Sequence, residues 1–413
     1  MLAIITTHPI QYQVPLWQAL AREGTIPFEV WYLSRHGIQP SPDAEFKKSF
    51  AWDLNLLAGY PHEFLRTNRD PLVHRFWGVR LREDLRKRFR EKGVKALWIQ
   101  GWQVFAYWQA VWQAHEAGVE IWLRGESNDL APPFWKKLPK MILLDALFQK
   151  VDRFLYIGRA NRRLYEKYGV PKERLHPALY CVDNERFAKQ ATELLPKQAE
   201  IRREWKIPEE AFCILFAGKF IPKKRPLDLV KALSKGQFGP STRPVHLLFA
   251  GSGELGEKLR EACHVVFDAE LSFVSQRSSP DLSLGYSLVG DKRPSASFVG
   301  FLNQTEISKA YVTADCLALP SDHRETWGLV VNEAMASGLP CIVSKLCGSC
   351  EDLVAPLERS FCFSVGDVKG LARAIGFVMD KQILQKDLQE QIRNYSLKEN
   401  IKTVCSLYEK SLK

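Results

Sequence analysis

Short apolar runs alternate with amphipathic helical stretches along most of this chain, and the alternation occurs as two separate series. In the first series the apolar runs are 2–6, 28–33, 96–99, 120–123 and 154–157, with helical patterns at 14–22, 81–92, 105–117 and 159–168. A short run that is apolar throughout suits a strand covered on both faces, and a helix between two such runs is the connection parallel strands need. The second series places strands at 212–216, 246–250, 297–299, 315–319 and 341–344. The pattern predicts an α/β chain built on two doubly wound parallel sheets. A length of 413 residues, too much for one ordinary core, agrees with two domains. The expected boundaries are a first domain over 1–185, a polar, helix-forming linker over 186–206, a second domain over 207–385, and helix over 386–413 that packs back on the first domain. The serine-rich stretch 264–295 reads as an irregular insertion without an assigned role.

Composition narrows the function classes. Hydrophobic residues make up 46% and charged residues 25%, as in soluble globular proteins. No run approaches 18 uncharged apolar residues, so no transmembrane helix is expected, and residues 1–9 read as a first strand instead of a signal peptide. The nine cysteines lie mostly inside apolar runs, as expected for reduced core residues of a cytoplasmic protein. Cys347 and Cys350 form a lone C-x-x-C with no second pair or histidine cluster, so no metal is expected. The net charge of +11 points to an anionic partner: nucleic acid, nucleotide phosphates or an acidic membrane face. No RNP, helix-turn-helix or zinc pattern accompanies it, so nucleic acid is not the expected partner. The stretch 135–144 mixes cations with large apolar residues, and with 80–90 it would suit peripheral contact with an anionic membrane at its inner face.

The most informative stretch is 320–340. A buried strand ends at Pro320–Ser321, a loop carries Glu325, a helix is expected to start near 326–328, and Gly338 stops it. Free N–H groups at Trp327, Gly328 and Leu329 would make an anion cradle at that helix start, with Thr326 beside them in the donor site. Glu325 beside the cradle cannot bind phosphate and would accept hydrogen bonds from hydroxyls. Glu333, about two turns on, would accept a ribose diol. After the strand 212–216 comes Gly218-Lys219, then Lys223-Lys224-Arg225, four cations within seven residues where a strand ends. Such a basic mouth would neutralise a diphosphate as it leaves.

Read together, Glu325, Trp327, Gly328, Leu329, Glu333, Ala334, Met335, Ala336, Gly338 and Pro340 form a pattern that resembles the donor-site signature of retaining glycosyltransferases of family 4. Gly218-Lys219 with Lys224 is similar to that family's Gly-Arg-(x)4-Lys, lysine replacing arginine and so losing the bidentate fork. Gly251 and Gly253 resemble its Gly-x-Gly turn, 298–302 with Phe301 and Leu302 its nucleobase segment, and 344–351 its glycine-containing loop. The resemblance spans the second domain in order. In the first domain it is looser: bulky residues at 7–12 stand where relatives have a glycine pair, and Arg124-Gly125-Glu126 stands where many have a histidine. His8, Gln11, Arg124 and Glu126 are the expected acceptor-side residues.

The resemblance implies a GT-B fold, two Rossmann-like domains facing across a cleft. It implies transfer of a hexose from a nucleotide diphosphate sugar to an acceptor hydroxyl, with retention and without a metal or other cofactor. Glu325, Lys219 and Lys224 would be the catalytic groups. The acceptor is a saccharide, a lipid-linked saccharide or a small molecule, in cell-envelope or exopolysaccharide synthesis. A sugar phosphorylase on the same fold and a non-enzymatic polyanion-binding protein are the alternatives.

Overall fold

Residues 1–38, 41–43, 48–50, 52–69, 71–130, 138–234, 243–270, 293–381 and 383–412 are described by the computed structural model. They form two units. The first comprises Met1–Ser41, Leu54–Val182 and Asn394–Lys413, and the second Pro42–Asp53 and Asp183–Arg393.

The order along the chain opens with β1 (Leu2–Thr6), α1 (Val14–Glu23) and β2 (Phe28–Tyr32). A two-stranded sheet follows, β3 (Ser41–Asp43) and β4 (Lys48–Phe50), then β5 (His62–Phe64), α2 (Leu85–Glu91), β6 (Ala96–Ile99) and α3 (Phe105–Glu116). Next come β7 (Glu120–Leu123), α4 (Leu138–Phe148), β8 (Arg153–Tyr156), α5 (Arg159–Lys167) and β9 (Leu175–Pro177). The first unit's sheet has the order β5-β2-β1-β6-β7-β8-β9, parallel throughout. Trp31, Leu97, Ile121 and Phe154 from its strands share one apolar core with Leu85, Tyr107, Val111, Leu147 and Tyr165 from α2 to α5.

The second unit continues with α6 (Asn184–Leu194), α7 (Gln198–Glu204), β10 (Phe212–Ala217), α8 (Pro226–Ser234), β11 (Val245–Ala250), α9 (Gly256–Glu261), β12 (His264–Asp268) and β13 (Ser295–Gly300). Then come α10 (Ile307–Thr313), β14 (Cys316–Leu319), α11 (Val330–Ala336), β15 (Cys341–Ser344), β16 (Cys362–Phe363), α12 (Val368–Asp380) and α13 (Gln385–Ile392). Its sheet is also parallel, ordered β12-β13-β11-β10-β14-β15-β16. The last helix, α14 (Leu397–Lys410), belongs to the first unit, where Asn400 Nδ2 donates to the Leu179 carbonyl at 2.8 Å.

Each sheet reverses its winding once, between β1 and β6 in the first unit and between β10 and β14 in the second. At such a switch point neighbouring loops diverge and leave a crevice at the strands' carboxyl ends. The functional residues should therefore be sought on the loops after these four strands.

Several expectations are corrected. The expected helix 81–92 begins only at Leu85, because Leu81 bridges to Thr67 and the Asp84 carboxylate caps the Arg86 amide. The stretch 186–206 forms helices, as expected, and they pack on α10: Ser308 Oγ meets Gln190 Oε1 at 2.9 Å, and Gln198 Nε2 donates to the Val312 carbonyl at 2.6 Å. Residues 264–268 of the expected insertion are the edge strand β12; 271–292 lie outside the described residues, as do 131–137 of the cationic-apolar stretch. The helix expected from 326–328 begins at Val330. Gly328 has φ +90°, a left-handed backbone that cannot be part of a right-handed helix. Among the described residues no helix is long and apolar enough to cross a membrane.

Candidate functional site

At the carboxyl edge of the second sheet, three glycine turns lie side by side on adjacent strands. Gly218 after β10 donates to the Ala250 carbonyl at 2.9 Å, and Gly251 after β11 donates to the Gly300 carbonyl at 2.7 Å. Gly251 has φ +146°, and a Cβ there would sit 2.0 Å from the Gly218 carbonyl oxygen, so the close approach admits no side chain. Gly253 continues the same turn, and the Phe220 amide donates to the Ser252 carbonyl at 2.8 Å.

The loop after β10 carries Lys219, then a tight turn over Pro222–Lys224, which leaves the four cations at the switch point. Opposite it is the loop after β14. The Asp322 amide donates to the Lys223 carbonyl at 2.8 Å, and this strap brings the Lys224 ammonium against the Glu325 carboxylate in an ion pair. Two residues 101 positions apart are thus joined where the sheet reverses. Their side chains are 16% and 15% exposed, so the pair is shielded from screening yet open on one side.

Thr326, Trp327, Gly328 and Leu329 follow Glu325. This loop is held from behind by the loop after β15: Ser349 Oγ donates to the Trp327 carbonyl at 2.7 Å, and Trp327 Nε1 donates to Asn332 Oδ1 at 2.8 Å. Gly348 lies so close that a Cβ would approach the Thr326 carbonyl oxygen to 2.6 Å. Cys347 packs underneath, where burial pushes its thiol up to about 12 and keeps it protonated. Glu333, on α11, accepts from the Tyr311 hydroxyl at 2.5 Å. Burial raises its pKa, while Tyr311, the Arg186 charge and Gln304 oppose the rise. Arg186 is fixed by Gln304, donating to its carbonyl at 3.0 Å and to its Oε1 at 2.7 Å.

Phe301 and Leu302 follow β13. The Trp52 ring stands 6.2 Å from that of Phe301, and Asp53 accepts from the Thr305 amide at 2.9 Å and from its hydroxyl. This segment comes from early in the chain, and sequence reasoning missed it. An aromatic followed by an acid carries no pattern that assigns it to the second sheet. Tyr311, Arg186 and Gln304 were missed for the same reason: nothing in the local text ties them to Glu333.

In the first unit the loop after β1 holds His8 and Gln11. His8 Nδ1 meets Thr7 Oγ1 at 2.9 Å, and its ring lies 5.1 Å from that of His36. Burial, with the His36 charge adding, lowers its pKa to about 4, so the ring is neutral near pH 7. Gln11 is half-buried in the turn before α1. After β7, Arg124 and Glu126 flank a tyrosine cluster. The Arg124 guanidinium lies 5.0 Å over the Tyr180 ring, and the Tyr180 hydroxyl donates to Glu126 Oε1 at 2.5 Å. Tyr12 stands 5.9 Å from Tyr180. The structure therefore brings Arg124 and Glu126 together around Tyr180, and places His8 beside His36.

Among the described residues no group of three histidine, cysteine or acidic side chains is placed to hold a metal. Residues 291–395 match the family of glycosyl transferases group 1. The D-inositol 3-phosphate glycosyltransferase of Salinispora tropica is 23% identical over 59% of this chain and 48% of its own length. The chain spans about half the length, or less, of the curated relatives it matches. A glycosyltransferase from Rickettsia africae superposes over 100% of this chain and 98% of its own, with a TM-score of 0.65 and 14% identity. Anabaena HepE in complex with UDP and glucose does so over 99% of each, with a TM-score of 0.63 and 13% identity. The architecture is the two-domain α/β arrangement of GT-B glycosyltransferases.

Proposed function

We propose, from a chain that carries a glycosyl transferases group 1 domain on a GT-B fold, that it moves a hexose from a nucleoside diphosphate sugar to an acceptor hydroxyl with retention at the anomeric carbon. The observation that carries this reading is the Lys224–Glu325 pair at the second sheet's switch point, bordered by the glycine turns at 218 and 251. Without a ligand each charge compensates the other. A diphosphate arriving over the glycine turns would draw Lys224, with Lys219, onto its oxygens. Glu325 would then be free to accept hydrogen bonds from the sugar's hydroxyls. As the bond from the anomeric carbon to the diphosphate oxygen breaks, the electron pair leaves with that oxygen, and the two ammonium groups stabilise the growing charge. The acceptor oxygen bonds to the anomeric carbon on the same face while its proton passes to the departing diphosphate. Glu333, oriented by Tyr311, would accept from the ribose diol. No metal or other cofactor is required by this scheme.

HepE was solved with UDP and glucose, which makes uridine nucleotides the first donors to try. The proposed setting is cell-envelope or exopolysaccharide synthesis in the cytoplasm. Peripheral contact with an anionic membrane is part of the proposal. Trp77, Ile142 and Leu143 are exposed, Arg80 lies over Trp77, and Lys150 lies over Trp112.

The test is a thermal-shift panel of UDP, GDP, ADP and their sugar conjugates on the wild type and Glu333→Gln, which keeps an acceptor for Tyr311. Saturation at a hundredfold excess over Kd is worth about 2.7 kcal/mol to the folded state. The expected result is a rise in Tm with one nucleotide family that shrinks in the variant. No rise with any of them at millimolar concentration would remove the donor site.

A further inference from the structure

Arg124 is only 5% exposed, and among the described residues its Nε has no hydrogen-bond partner. Other enclosed arginines of this chain spend their guanidinium groups on acceptors. Arg174 donates to the Phe148 and Val151 carbonyls and Arg186 to Gln304; Arg202, whose Nε is also unpaired among the described residues, still donates through Nη2 to the Pro208 and Ala211 carbonyls. The guanidinium of Arg124 instead has the face of Tyr180 on one side, while the nearby carboxylate of Glu126 is engaged by the Tyr180 hydroxyl at 2.5 Å. A buried guanidinium donor left without an acceptor costs stability, and a ligand that accepts from it recovers that cost. Its position supports a ligand. Arg124 directly follows β7, Tyr12 comes from the loop after β1, and Tyr180 from the segment after β9, so the cluster lies on the carboxyl edge of the first sheet, where α/β folds bind ligands.

We propose that this cluster is an anion-recognition site, and that the acceptor of the transferase carries a carboxylate or phosphate group, bound by Arg124, with its hydroxyl presented to Glu126. A planar guanidinium can make two parallel bonds to either anion. The Tyr180 ring lies against the guanidinium, and the hydrogen bond from the Tyr180 hydroxyl holds Glu126 in place. The proposal rests on the transfer reading, but the two fail separately, because nucleotide binding reads the second unit and this site lies wholly in the first.

The experiment is calorimetric titration of the full chain with inorganic phosphate and, separately, acetate. The proteins are the wild type, Arg124→Gln, and a Lys219→Gln/Lys224→Gln double variant that removes the other basic locus. The expected result is that one of the two anions binds the wild type and the lysine double variant alike, and binds Arg124→Gln at least about tenfold more weakly. The anion that binds names the acceptor's group. Equal affinity in Arg124→Gln overturns the proposal, as does binding lost in the lysine double variant and retained in Arg124→Gln, or no binding of either anion to the wild type. Should Arg124→Gln fail to fold, the Arg124 Nε–H resonance of the wild type decides. It must shift as the anion is added, and an unmoved signal through saturation overturns the assignment.

Discussion

Lys224 and Glu325 illustrate how much a single contact can demand. Each is mostly covered, so removing either leaves the other charge partly desolvated and unpaired, which is worse than losing both. Lys224→Met should lower kcat by about a hundredfold or more, the size expected when a donor aimed at developing charge is lost. Steady-state kinetics with the cognate donor check this. If kcat is unchanged and only KM rises, Lys224 acts in binding alone. His8 makes a different prediction. Its pKa of about 4 in the folded chain lies below the ordinary 6.5, so the unfolded chain binds the proton more readily. The stability contributed by the neutral ring is fully present above about pH 6.5 and is lost as pH falls toward 4. His8→Gln should therefore show a smaller drop in Tm over that window than the wild type, as melts across the pH range would show.

Elements were the most legible level of the sequence, and the reason is physical. A strand buried on both faces is apolar at every position, so β1, β6, β7, β10 and β15 were visible as uninterrupted runs bounded by turn residues. The edge strands β5, β9 and β16, of three, three and two residues, are too short to carry a period, and β12 lay inside a serine-rich stretch. The glycine turns were legible as motifs, yet what they do is a property of neighbouring strands. Gly251→Ala tests that property. Its Cβ would fall against the Gly218 carbonyl, and the expected cost is at least about 3 kcal/mol in a urea melt. Gly24→Ala, at the end of α1 with φ +65° and nothing nearby, should cost only about 1–2 kcal/mol. Similar costs at both positions would show that the stacked turns tolerate displacement. In the site itself, Lys219, Lys224, Glu325 and Glu333 could be picked out because each sits at a fixed offset from a strand end or a glycine. Tyr311, Tyr180 and Trp52 could not, since what makes them relevant is a neighbour far away in the chain.

At the level of the whole molecule, the first unit is made from three segments of chain and the second from two. Helix α14 begins at a Ser396 cap and buries Val404, Leu407 and Tyr408 in the first unit, while Asn400 ties it to the segment after β9. Burial of three such side chains is worth roughly 5 kcal/mol. A chain ending at Arg393 should accordingly melt many degrees lower and bind a hydrophobic dye at temperatures where the full chain does not. An unchanged melt would show that the first unit is complete without α14.

The same segment sets an order of events during synthesis. A ribosome delivers all seven strands of the first sheet by Pro177, long before Leu397 leaves the exit tunnel. At roughly 5–20 residues per second, the nascent first unit would wait some ten seconds or more with the face meant for α14 uncovered. During that interval it is a natural client for a holding chaperone, and the second unit is positioned to finish folding before the first.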